Sequence, residues 1–141
     1  MTVPRRLVVV DASAIVALLT ADLCTGTWVA EHCSEAVLAA PEVLPFEVGN
    51  ALRRLERAGL LDVTAAAMSH QDLIDLSVQL WPYRALADRT WELRHALSVY
   101  DGTYVALAEA LDAPLITVDV RLSRANGPRC IMHTPVASSK P

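Results

Sequence analysis

The sequence predicts an α/β fold, a three-layer α/β/α sandwich with a central, mostly parallel sheet of four to five strands. Three observations predict it. The run Leu7-Val8-Val9-Val10 is apolar throughout and β-branched at three positions, the pattern of a strand buried on both faces. Further short apolar runs alternate with longer segments of helical period, as βαβ units require. The chain of 141 residues has one domain's length, and its 53% hydrophobic residues include a single Phe, so the core is aliphatic.

The elements follow in order. After the first strand, the small and aliphatic residues from Ala12 to Leu19 suit the first helix of a βα unit. Asp22 to Ser34, which holds Trp28, is looser and reads as a short helix. Val37 to Ala40 is a second strand, stopped by Pro41. From Glu42 the apolar residues Val43, Leu44, Phe46, Val48, Ala51, Leu52 and Leu55 recur near the 3.6 period until Gly59. Pro45 is tolerable there in a first turn. Thr64 caps another helix that runs to Leu76. Val78 to Tyr83 is a third strand, and Pro82 assigns it to the neighbourhood of a sheet edge. A helix from Ala87 to about Leu97 precedes one that opens at Asp101, with an apolar stripe of Tyr104, Val105, Leu107, Ala108 and Leu111. Pro114 to Val118 is the fourth strand, ending at Asp119; Arg121 to Arg124 form a turn or short helix, and Cys130 to Met132 a fifth strand. Residues 1–134 thus make a single domain, and 135–141 a disordered tail.

Composition narrows the function. A formal net charge of −4 leaves no broad basic surface, so a nucleic-acid partner requires local Arg clusters and the help of a metal. Cys24, Cys33 and Cys130 are odd in number and form no Cys-x-x-Cys pair, which fits neither a disulfide framework nor a zinc ribbon. Arg5-Arg6 before an apolar run mimics a signal peptide, but Asp11 interrupts that run, which is also too short to span a bilayer. The expectation is a soluble cytoplasmic protein with no membrane partner.

Four carboxylates stand out by position. Asp11 and Asp119 end predicted strands, Asp101 sits at a helix start, and Glu47 lies about one turn into a mostly apolar helix. Asp62, Asp72, Asp75, Asp88 and Asp112 fall among polar neighbours or in turns and read as solvated. Ligands of open α/β sheets bind beyond the carboxyl ends of the strands. Carboxylates gathered there repel one another, and a fold keeps them together only with a cation or with shared protons. Hard divalent ions take oxygen ligands, so such a ring suggests Mg²⁺ or Mn²⁺ and phosphate chemistry. Taken singly, each carboxylate also suits a helix cap or an exposed face, and the residues alone leave that alternative open.

Four segments carry a family resemblance: Val9-Val10-Asp11-Ala12-Ser13; Pro41 with Glu47-Val48-Gly49-Asn50-Ala51-Leu52; Tyr100-Asp101-Gly102-Thr103-Tyr104-Val105-Ala106-Leu107-Ala108; and Leu115-Ile116-Thr117-Val118-Asp119. In this order, across nearly the whole chain, the sequence resembles the PIN domain, and most of all the VapC-type ribonuclease toxins of bacterial toxin–antitoxin pairs. The resemblance implies a metal-dependent endoribonuclease that uses Mg²⁺ or Mn²⁺. It implies an acidic metal site of Asp11, Glu47, Asp101 and Asp119, with Ser13, Thr117 and Asn50 as polar supports. It also implies a cognate antitoxin protein, and the aliphatic residues Leu52, Leu55, Leu60 and Leu61 suggest a homodimer. RNA contact is assigned to Arg53, Arg54 and Arg57 beside Glu47 and to Arg121 and Arg124 after Asp119.

Two other α/β families place Asp after the first strand. Haloacid-dehalogenase-type phosphatases need a second Asp two residues on, where Ser13 stands, and receiver domains need a lysine near the site. The only lysine here is Lys140, in the tail, which also removes a P-loop. The remaining alternative is a PIN-like RNA- or protein-binding module with little or no catalysis.

Overall fold

The computed structural model describes residues 5–20 and 25–135. Five strands form one parallel sheet in the order β3-β2-β1-β4-β5. They are β1 (Leu7–Val10), β2 (Val37–Pro41), β3 (Val78–Trp81), β4 (Leu115–Ile116) and β5 (Met132–His133). β1 is central. It pairs with β2 through Leu7 to Val37 and Val9 to Ala39, and with β4 through Val9 to Leu115 and Val10 to Ile116. Val8, Val9 and Val10 are fully buried, as a strand covered on both faces demands.

Seven helices join these strands among the described residues: α1 (Ala12–Leu19), α2 (Thr25–Cys33), α3 (Leu44–Arg57), α4 (Val63–Asp75), α5 (Ala87–Glu92), α6 (Val99–Leu111) and α7 (Val120–Ser123). Helices α1 to α4 pack on one another, while α6 lies along β1, β2 and β4 with α5 against it. α2 approaches α1 closely at Gly26, where a Cβ would stand 2.7 Å from the carbonyl oxygen of Ala17. α3 closes on Gly59, whose φ of +74° is the left-handed conformation that glycine adopts without strain. None of the helices described is long and apolar enough to cross a membrane.

Several boundaries differ from the sequence reading, each for a local reason. Asp62, not Thr64, caps α4: its carboxylate accepts the Ala65 N–H at 2.7 Å. Ser98, not Asp101, caps α6, its hydroxyl accepting the Asp101 N–H at 3.1 Å. Asp101 is thereby moved into the first turn of the helix. α3 starts at Leu44 rather than Glu42, whose carboxylate instead accepts the Tyr83 N–H at 2.9 Å. α5 ends at Glu92, where Leu93 N–H is shared between the carbonyls of Arg89 and Thr90 and the chain passes into turns. β4 keeps only Leu115–Ile116; just beyond it the Thr117 N–H still donates to the His133 carbonyl at 3.1 Å, while its hydroxyl donates to Asp11. The last strand comprises Met132–His133, starting two residues later and ending one residue beyond the expected Cys130–Met132.

Of the aliphatic residues read as surplus surface, Leu52 is in the core and Leu61 packs against it, whereas Leu60 is exposed. Phe46, counted in the apolar stripe of α3, is also exposed, at 77%. Cys33 and Cys130 are free thiols. Cys24 and residues 136–141 of the expected disordered tail lie outside the described residues.

Candidate active site

The chain runs from β1 outward through β2 to β3, then returns to place β4 on the other side of β1. That reversal leaves a crevice beyond the carboxyl ends of β1 and β4, the usual ligand site of an open parallel sheet. A cleft of about 830 Å³ opens there, lined by Asp11, Glu47, Asp101 and Asp119 together with Ser13, Asn50, Arg54, Tyr100, Tyr104 and Arg121. Each acid arrives from a different element. Asp11 follows β1, Glu47 is in the first turn of α3, Asp101 is in the first turn of α6, and Asp119 precedes α7.

Asp11 is the buried end of the site, at 6% exposure. Its Oδ1 accepts the Ala14 N–H at 2.9 Å, capping α1, and the Ser13 hydroxyl at 2.7 Å. Its Oδ2 accepts the hydroxyl of the fully buried Thr117. The cap and the site are therefore one carboxylate, and the two readings of Asp11 do not compete. Ser13 Oγ also accepts the Val118 N–H at 3.2 Å, and Thr117 Oγ1 the Asp119 N–H at 3.0 Å, so these two hydroxyls tie the end of β1 to the segment after β4.

Glu47 is half-buried and accepts the Tyr104 hydroxyl at 2.8 Å. Tyr104 is 2% exposed, and the sequence presented it only as one member of the apolar stripe of α6. A tyrosine on a buried stripe needs a partner for its hydroxyl, and that need is the signal that could have linked it to Glu47.

Burial pushes the Asp11 carboxyl above the ordinary carboxylate range, outweighing the hydrogen bonds from Thr117, Ser13 and Ala14, and the charge of Asp101 adds to the rise. Burial likewise raises Glu47 against the pull of the Tyr104 bond, with Asp101 and Asp11 adding repulsion. Asp101 is raised by burial too, opposed by the Ser98 bond and reinforced by Asp119. Asp119 departs from this pattern: its bonds to Arg121 hold it below the ordinary range. The Arg121 guanidinium lies 3.2 Å from Asp119 Oδ2, almost wholly in solvent.

A donor set of carboxylates and hydroxyls, without nitrogen or sulfur, fits a hard divalent cation and not a soft one. Among the described residues, no group of three or more His, Cys, Asp or Glu side chains is drawn together around a single point. The four acids nonetheless line one cleft. Of the basic residues named from the sequence, Arg54 and Arg121 line the cleft; Arg53, Arg57 and Arg124 are exposed outside its lining, and Asn50 lies within it.

Comparison with known proteins agrees with this architecture. The PIN domain matches residues 8–128. Ribonuclease VapC1 of Mycobacterium tuberculosis is 38% identical over 123 residues, covering 86% of this chain and 92% of that protein. Among solved structures, PAE2754 from Pyrobaculum aerophilum superposes with a TM-score of 0.62 at 28% identity, over 91% of this chain and 83% of its own. VapC20 of Mycobacterium tuberculosis, described as a sarcin–ricin loop cleaving toxin, shares the fold with a TM-score of 0.61 at 20% identity, over 83% of this chain and 93% of its own. Fold, strand-end acids and sequence relatives agree: the chain belongs to the PIN-domain family, among the VapC ribonucleases.

Proposed function

We propose that this protein is a Mg²⁺- or Mn²⁺-dependent endoribonuclease, hydrolysing RNA phosphodiester bonds as the toxin of a toxin–antitoxin pair. One observation carries the reading. Asp11, Glu47 and Asp101 face a single cleft at the strand ends, each with its pKa raised, so that each gains from a cation placed among them. These three would hold the ion, and Asp119 would complete the acidic rim. A divalent ion held by these residues would supply Lewis acidity, activating water and offsetting negative charge on the phosphate oxygens.

The chain's own groups do the positioning. Ser13, Thr117 and the Ala14 N–H fix both oxygens of Asp11, and Tyr104 fixes one oxygen of Glu47. Arg54 and Arg121 bring positive charge to the same cleft, where an RNA backbone needs it. Residues 1–134 form the functional unit, working in the cytoplasm as a homodimer and inhibited by a cognate antitoxin.

Incubation with structured RNA in Mg²⁺ or Mn²⁺, and again in EDTA, tests the reading. Internal cleavage that requires the metal is expected. Cleavage undiminished by EDTA overturns the mechanism, and RNA that is bound but never cut returns the chain to a binding module. Light scattering at micromolar concentration checks the dimer, and co-purified antitoxin should abolish cleavage.

A further inference from the structure

The acidic cleft does not end at its carboxylates. A second hollow of about 310 Å³, with almost entirely apolar walls, opens beside it. Its lining includes Val43, Phe46 and Tyr100, which line the cleft as well, so the two cavities adjoin and share these walls. Tyr83 and Val99 complete the apolar part. The chain enforces this neighbourhood: Phe46 immediately precedes Glu47, and Tyr100 immediately precedes Asp101. Both rings line the cleft alongside those two acids. Both rings are exposed, Phe46 at 77% and Tyr100 at 58%, although exposing a large apolar ring to water is unfavourable.

We propose that this hollow seats one unstacked nucleobase of the RNA strand, that of a nucleotide flanking the phosphate held in the acidic cleft. The proposal rests on the ribonuclease reading above and names how the substrate is gripped. Single-stranded nucleic acid is held by a charged track for the backbone and aromatic faces for the bases. Here Arg54 and Arg121 supply the first, Phe46 and Tyr100 the second. The hollow is too small for an amphipathic partner helix, which needs a groove spanning anchors at i, i+3, i+4 and i+7. Two of its polar groups are engaged within the chain: Glu42 Oε1 accepts the Tyr83 N–H at 2.9 Å, and the Thr103 hydroxyl donates to the Tyr100 carbonyl at 2.6 Å. The walls are otherwise apolar, so the grip comes chiefly from ring faces, which every base can meet.

The test compares two fluorescent eight-nucleotide strands, one of mixed-sequence RNA and one an abasic ribose-phosphate strand with the same charges. Anisotropy is read in Ca²⁺, which neutralises the carboxylates, so binding is measured apart from cleavage. The parent should bind the base-bearing strand more tightly, and Phe46→Ala should weaken that strand roughly 5- to 150-fold, the span set by stacking one base. The abasic strand should be unaffected. Tyr100→Leu should act in the same direction, and Phe46→Tyr should keep parental affinity. Phe46 is exposed, so its truncation spares the core, and circular dichroism verifies the fold. If Phe46→Ala leaves the preference for bases unchanged, or weakens both strands equally, the seat is wrong. Failure of the ribonuclease reading is a separate result: no cleavage of any RNA by the parent in Mn²⁺.

Discussion

Asp11 and Asp119 occupy equivalent places: each follows a strand of one parallel sheet, and each caps the helix behind it. Their electrostatics are opposite. Asp11 is buried under three hydrogen-bond donors and still has its pKa raised, whereas Asp119 lies at the rim with its charge met by Arg121. Strand-end position brings a carboxylate to the cleft; burial and a neighbouring Arg decide which way its pKa moves. The interior of the site, Asp11 with Glu47 and Asp101, is short of positive charge. The rim is already supplied.

The strongest way to break this contrast is Asp11→Asn, which keeps the shape and a capping oxygen while removing the charge. Losing even an outer partner of a metal ligand costs about 10- to 100-fold, so cleavage should fall more than about 100-fold. Asp119→Asn, assayed in parallel, should lose far less. Equal losses would dissolve the distinction between interior and rim.

Melting with and without metal sharpens it. At a Mn²⁺ concentration of about 100 Kd the native state gains about 2.7 kcal/mol, which for a domain of this size raises Tm by roughly 5–10 °C over the protein in EDTA. Asp101→Asn should be at least as stable as the parent in EDTA and lose most of that gain. The pH dependence has a definite sign. With their pKa values raised, Asp11, Glu47 and Asp101 bind protons more tightly in the folded state than in the unfolded one. The protein in EDTA should therefore gain stability as pH falls through the raised values toward the ordinary carboxylate range. Asp119, held low, pulls the other way only below that range. A melting temperature that falls across the upper window contradicts the raised values.

Tyr104→Phe comes next. It removes the hydroxyl that Glu47 accepts while keeping the buried ring, a loss of about 1 kcal/mol. That bond lowers the Glu47 pKa, so its removal should move the acid limb of the pH–rate profile upward, which a purely structural tyrosine would not do. Arg121→Ala is the smallest. An exposed ion pair contributes little, and Tm should move by no more than about 2 °C. The salt dependence of RNA binding should nonetheless weaken by about one unit of slope.

The sequence makes Asp11 and Glu47 visible because each interrupts an apolar pattern, a buried strand in one case and a helical stripe in the other. The sheet was legible for a similar reason: β1 is apolar on both faces, and Pro82 marks β3 as the edge strand it is. Caps were less legible, since Ser98 with Asp101 and Asp62 with Thr64 offer competing oxygens a few residues apart, and only backbone geometry chooses between them. Tyr104 and Phe46 were hidden by the same rule that revealed the helices. Periodicity places both on an apolar stripe but does not tell a ring whose hydroxyl meets an acid from one left in solvent.

The bond between Asp11 and Thr117 joins residues 106 positions apart. On the ribosome, Asp11 and Glu47 emerge well before Asp101, Thr117 and Asp119. At 5–20 residues per second that interval is roughly 5 to 20 seconds. A chain that has passed Glu47 but not reached Thr117 therefore holds Asp11 with its two local donors, Ser13 and Ala14, and without the hydroxyl that fixes its second oxygen.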